Sequence, residues 1–123
     1  MKQALLVFVG GGFGSVARYY IGKWLNTLEN TIPYGTLLSN ILGSMLIGLI
    51  LGYLAKTSNL TESYTLLLVT GFCGGFTTFS AFSYESHLFL KNGDYFSFLT
   101  YTFGSIILGF LAVFLGLYLS KLL

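Results

Sequence analysis

Long uncharged apolar stretches, separated by short polar segments, dominate the chain. Three stretches contain no charged residue: 32–55, 63–84 and 95–120. A fourth covers 3–17 and continues beyond Arg18. A helix crosses a bilayer with roughly 20 apolar residues, so this pattern predicts four transmembrane helices. We place them at about 3–25, 32–55, 63–90 and 95–120.

Short polar segments connect the predicted helices. Residues 26–31 lead to Pro33, which suits a first helical turn. Residues 56–62 form a polar loop, and Lys91-Asn92-Gly93-Asp94 is typical of a turn. These connections leave no second domain. We therefore expect an all-α membrane protein with one transmembrane domain over residues 1–123.

Composition supports a membrane protein independently of any motif. Only 8% of the residues are charged and 54% are hydrophobic, whereas soluble domains carry about 25% charged residues. The six Lys and Arg are scattered, which argues against a nucleic-acid partner. Cys73 and His87 are the single cysteine and histidine, too few for a transition-metal cluster.

Positive charges are balanced between the two ends of the predicted helices. With a cytoplasmic N-terminus, one side carries Lys2, Lys56 and Lys121, and the other carries Arg18, Lys23 and Lys91. Orientation normally follows an excess of Lys and Arg on the cytoplasmic side. The tie favours insertion in both orientations and an antiparallel dimer, unless another factor such as helix hydrophobicity sets one orientation.

The third stretch contains a glycine- and threonine-rich segment at its centre. Gly74-Gly75 is followed by Thr77-Thr78 and Ser80, which weakens an uninterrupted helix. A break would expose carbonyl oxygens to a hard cation such as Na⁺ and N–H groups to an anion. A continuous helix, with Thr and Ser bonded to its own carbonyls, is equally compatible with these residues.

Hydrogen-bond donors and aromatic rings recur at helical spacing. Thr36 and Asn40 are four residues apart, as are Tyr101 and Ser105, and their amide and hydroxyl groups can donate to an anion or to a neighbouring helix. Phe79 and Phe82 share a helix face, and their positive ring edges could line an anion route, although packing is the commoner role. Arg18 either attracts an anion or ties a helix end to the partner chain.

The order of the motifs resembles that of the CrcB/Fluc fluoride channels over essentially the whole chain. The matching segments are Gly10-Gly11-Gly12-x-Gly14-Ser15-x-Ala17-Arg18-Tyr19, Gly35-Thr36-Leu37-x-x-Asn40-x-x-Gly43 and Gly71-Phe72-Cys73-Gly74-Gly75-x-Thr77-Thr78-Phe79-Ser80-x-Phe82-Ser83-x-Glu85. Ala81 departs from the threonine expected there, which removes one hydroxyl and leaves the motif intact.

The resemblance implies an antiparallel, dual-topology homodimer in the lipid bilayer, with the third helix broken in mid-membrane. It implies a structural Na⁺ at the dimer centre, held by the main-chain carbonyls of Gly74 and Thr77. Glu85 would lie near a pore mouth. The implied fluoride pathway comprises Asn40, Phe79, Phe82, Ser105, Tyr101, Thr36 and Ser80.

The implied function is passive fluoride export across the bacterial inner membrane, which protects the cell from fluoride toxicity and involves no enzymatic reaction. A negative-inside potential drives an anion outward with about 2.3 kcal/mol per charge per 100 mV. The alternative is a small dual-topology, proton-coupled drug exporter. Such a transporter needs a carboxylate within the membrane, and no carboxylate lies deep in any predicted span.

Overall fold

We describe residues 1–27, 31–56 and 62–123 from a computed structural model. These residues form helices and no strand. The helices are α1 (Lys2–Leu25), α2 (Tyr34–Lys56), α3 (residues 62–76), α4 (Phe79–Lys91) and α5 (Tyr95–Ser120). Counting α3 and α4 as one span, four segments are long and apolar enough to cross a membrane, which confirms that prediction. Residues 28–30 and 57–61 of the predicted connections lie outside the described part.

Glycines bring α1 into close contact with α3. A Cβ atom at Gly10 would overlap the carbonyl oxygen of Leu67, and one at Gly14 would overlap that of Phe72. Without side chains at these positions the two backbones can approach closely, which strengthens van der Waals packing where lipid provides no hydrophobic driving force.

Glycines also bring α2 into close contact with α5. A Cβ atom at Gly48 would overlap the carbonyl oxygen of Val113, and one at Gly116 would overlap that of Met45. The fold therefore rests on two tightly packed helix pairs, α1 with α3 and α2 with α5. Helix α4 packs mainly against α5.

The third span is broken. Residues Thr65–Cys73 of α3 are wound more widely, with i→i+5 hydrogen bonds, and Gly74–Phe76 complete the helix. Thr77 and Thr78 then adopt extended conformations, with ψ of 159° and 115°, before α4 begins at Phe79. Of the two possibilities that the sequence left open, the structure has the interrupted helix.

Aromatic side chains form a small core between α4 and α5. Phe82, Phe89 and Tyr101 are buried there, with Ile32, Leu37 and Phe98 packed around them. Most other large apolar side chains are exposed on the outside of the helices. An apolar exterior of this kind suits contact with lipid or with another protein chain.

The connection between α4 and α5 is the predicted turn. Gly93 has a φ of 72°, a conformation that glycine adopts without steric cost. Asp94 then caps α5 by accepting a hydrogen bond from the amide of Ser97 at 3.0 Å. At the start of α2, Pro33 lies just before the helix and its carbonyl accepts from Leu37.

Candidate functional site

The break is held by a side chain from another helix. Asn40 Nδ2, on α2, donates to the carbonyl oxygen of Thr78 at 3.1 Å, and the Thr78 amide donates to Asn40 Oδ1 at 2.7 Å. The Asn40 side chain therefore satisfies both the backbone amide and the backbone carbonyl of Thr78, which a continuous helix would have satisfied internally.

A second side chain reaches the break from α1. Arg18 Nε donates to the carbonyl oxygen of Gly75 at 3.0 Å, and the hydroxyl of Ser15 approaches the same oxygen at 3.4 Å. The sequence allowed Arg18 to attract an anion or to tie a helix end to a partner chain, and the contact in the structure is an anchor within the chain. The guanidinium binds within its own chain.

The Gly74 and Thr77 carbonyls are among those that lose their helical partners at the break. In an α-helix the amide of residue i donates to the carbonyl of residue i−4, so Thr78 and Ala81 would serve Gly74 and Thr77. The Thr78 amide donates instead to Asn40, and the Ala81 amide donates to Thr78 Oγ1 at 3.2 Å. Carbonyl oxygens are suitable ligands for a hard cation, so Gly74 and Thr77 fit the predicted ligand set.

Beside the break, a cavity of about 310 Å³ brings together several of the predicted pathway residues. Asn40, Phe79, Phe82 and Ser105 all line it. The rings of Phe79 and Phe82 have their centroids 5.8 Å apart, at an interplanar angle of 45°. The remaining lining residues are Ser44, Ile106, Gly109, Phe110 and Val113.

Two hydroxyl groups accompany Asn40 at this cavity. Ser105 Oγ is buried and has no hydrogen-bond partner within the described residues. Ser44 lies next to Gly109, because a Cβ atom added at Gly109 would be 3.8 Å from Ser44 Oγ. Sequence reasoning missed Ser44, although it follows Asn40 by four residues and so shares its helix face.

Thr36 and Tyr101 lie in a different environment from Asn40. Both donate to Glu85, Thr36 Oγ1 at 2.7 Å and the Tyr101 hydroxyl at 2.6 Å. Thr36 and Tyr101 are buried, and neither lines the 310 Å³ cavity. Tyr101 instead borders a smaller hollow of about 140 Å³ that shares Ser105 with that cavity. Sequence reasoning did not foresee the links to Glu85.

Glu85 also borders a hollow of about 390 Å³ at the end of the molecule, together with Thr31, Pro33 and Asp94. Ser80 lies apart from all of these cavities. Its side chain is exposed and its hydroxyl approaches Thr78 Oγ1 at 3.3 Å. The structure thus gathers four of the seven predicted pathway residues around one cavity and leaves Thr36, Tyr101 and Ser80 outside it.

Comparison with known proteins finds matches along almost the whole chain. Residues 5–117 match the family model described as CrcB-like protein, Camphor Resistance (CrcB). A protein of Gloeothece citriformis named fluoride-specific ion channel FluC is 49% identical, with 98% of each chain covered. Proteins of the same name from Chlorobium chlorochromatii and Phocaeicola vulgatus are each 47% identical, covering 92% and 98% of this chain and 88% and 100% of their own.

Proposed function

The chain belongs to the CrcB family, and on that basis we propose that it is a fluoride-selective channel for passive fluoride export. The observation that carries the proposal is the meeting of Asn40, Phe79, Phe82 and Ser105 around one cavity. These residues come from α2, α4 and α5, so only the folded chain assembles them.

The chemistry of the cavity suits a small anion. One Nδ2 hydrogen of Asn40 is used by Thr78, which leaves the second available, and the Ser105 hydroxyl can also donate. Phenylalanine ring edges carry partial positive charge. An anion would thus meet donors and ring edges but no full positive charge. A full positive charge would hold the anion too tightly for rapid release.

The proposed pathway continues towards Glu85, whose carboxylate would lie near one mouth. Thr36 and Tyr101 would be polar neighbours there, because both hydroxyls lie within hydrogen-bond distance of Glu85. Ser80 would be a further polar neighbour on α4. Arg18 would act structurally, since its guanidinium is directed at the Gly75 carbonyl.

We propose that the working unit is an antiparallel homodimer in the inner membrane of a bacterium. The three-to-three balance of Lys and Arg supports insertion in both orientations. The exposure of Gly74 supports assembly at the break, because a second chain could there contribute the same carbonyls. The carbonyl oxygens of Gly74 and Thr77 from both chains would hold a structural Na⁺. The ion would offset the mutual repulsion of the partial negative charges on these oxygens.

Export in this proposal requires no energy source other than the membrane potential. Fluoride enters acid-stressed cells as neutral HF, ionises and is trapped. A potential negative inside drives the anion out with about 2.3 kcal/mol per charge per 100 mV. This is a channel function and involves no chemical reaction.

A flux assay on purified protein tests the proposal. Liposomes loaded with potassium fluoride are diluted into fluoride-free buffer, valinomycin is added, and an electrode records fluoride release. We expect rapid release only from liposomes containing the protein, and far slower chloride release in a matched experiment. No fluoride release, or release that requires a proton gradient, would contradict a passive channel.

A further inference from the structure

We propose that the Asn40 side chain and the Thr78 hydroxyl are positioning groups that keep the Gly74 and Thr77 carbonyls free for a cation. This inference rests on the proposed sodium site. It gives Asn40 a second task, separate from any contact with an anion.

The first step concerns the Gly74 carbonyl. In a continuous helix it would accept from the Thr78 amide, the donor that Asn40 Oδ1 takes at 2.7 Å. Asn40 Nδ2 at the same time holds the Thr78 carbonyl at 3.1 Å. Two hydrogen bonds hold both the amide and the carbonyl of Thr78, so Thr78 cannot return to helical geometry without leaving part-buried polar groups of Asn40 without these partners.

The second step concerns the Thr77 carbonyl. Its helical donor would be the Ala81 amide, which donates to Thr78 Oγ1 at 3.2 Å instead. Thr78 thus acts as the N-cap of α4, and its hydroxyl satisfies an amide that α4 cannot satisfy internally. Capping α4 and releasing the Thr77 carbonyl are consequences of the same hydrogen bond.

The third step concerns the Gly75 carbonyl. Gly75 also loses its helical donor, the amide of Phe79, because the helix is interrupted. Its carbonyl is covered by Arg18 Nε at 3.0 Å. Asn40 and Thr78 therefore take the donors that would cover the Gly74 and Thr77 carbonyls, whereas Arg18 covers the carbonyl of Gly75.

The experiment measures the melting temperature of the full-length protein in detergent, in sodium chloride and in N-methylglucamine chloride at equal ionic strength. The parent should melt at a higher temperature in sodium. Asn40→Ala and Thr78→Val should lose this sodium-dependent shift. A purely structural defect would instead lower the melting temperature equally in both salts.

Two variants serve as matched controls. Thr78→Ser keeps the capping hydroxyl and should restore the sodium-dependent shift that Thr78→Val loses. Ser44→Ala removes a polar group one turn beyond Asn40, at the cavity but with no hydrogen bond to the break, and should keep the shift. If Asn40→Ala does not fold, the Thr78→Val and Thr78→Ser pair decides the outcome.

The outcomes separate this inference from the proposals beneath it. A parent without any sodium-dependent shift would overturn the sodium site and this inference together, while fluoride flux would still test the channel. A parent that shows the shift, with Asn40→Ala or Thr78→Val retaining it in full, would overturn the positioning role alone.

Discussion

Phe79 and Phe82 lie with their ring centroids 5.8 Å apart, yet Phe79 is 80% exposed and Phe82 only 9%. Phe82 also packs against Tyr101, at a centroid distance of 5.6 Å. The two rings share one cavity but differ in how much of the fold depends on them. Substitution should therefore separate the pathway role from the packing role.

Isoleucine at either position keeps an apolar side chain and removes the ring edge. We expect Phe79→Ile to lower fluoride flux about tenfold with little change in melting temperature. A tenfold decrease corresponds to the loss of roughly 1.4 kcal/mol of anion stabilisation. Phe82→Ile should lower flux similarly and also cost about 1 kcal/mol of stability through lost aromatic contacts.

Flux must be compared at equal amounts of folded protein, judged by gel filtration. Phe103→Ile is the control, because Phe103 is 56% exposed on α5 and does not line the cavity. Parental flux in both Phe79→Ile and Phe82→Ile would exclude the ring-edge mechanism in this protein.

The packing of α2 against α5 predicts opposite effects for two glycines of α5. In Gly116→Ala the new methyl would overlap the Met45 carbonyl, so we expect destabilisation of about 1–3 kcal/mol. At Gly104 a Cβ atom meets nothing within 4 Å, so Gly104→Ala should be neutral or up to about 1 kcal/mol more stable through better helix propensity. Thermal unfolding in detergent measures both, and equal destabilisation would contradict the proposed tight contact.

The α5 cap predicts a pH dependence. Hydrogen bonds from the Ser97 side chain and amide hold the pKa of Asp94 below its ordinary value of 3.8. Because the folded pKa is lowered, the cap contributes stability above the unfolded pKa and loses it as the pH falls through the folded pKa. Asp94→Asn should keep a cap at neutral pH and show a smaller loss of melting temperature in acid. An identical acid response in parent and variant would count against this cap.

The balance of charges predicts both orientations in the membrane. A reporter fused to the C-terminus should be found on the two sides in comparable amounts. Two lysines introduced into residues 56–62 should bias the orientation and reduce the number of active dimers. Detection of the parental reporter on one side only would contradict dual topology.

The sequence alone determined the features that depend on local chemistry. Four membrane-capable helices follow from the hydrophobicity and length of four stretches. Both are properties of each stretch alone and do not depend on its neighbours. The turn around Gly93 follows from a residue type that tolerates positive φ. The order of the motifs was sufficient to indicate the family.

Only the tertiary structure decided which polar groups meet. The glycines and threonines of the third span were compatible with a continuous or a broken helix. The break is stabilised by Asn40 and Arg18, which lie 38 and 57 residues from their partners in the chain. Thr36 and Asn40 share helical spacing, yet one contacts Glu85 and the other Thr78. Helical spacing sets the direction of a side chain, but the neighbouring helix supplies the hydrogen-bond partner that a buried polar group requires.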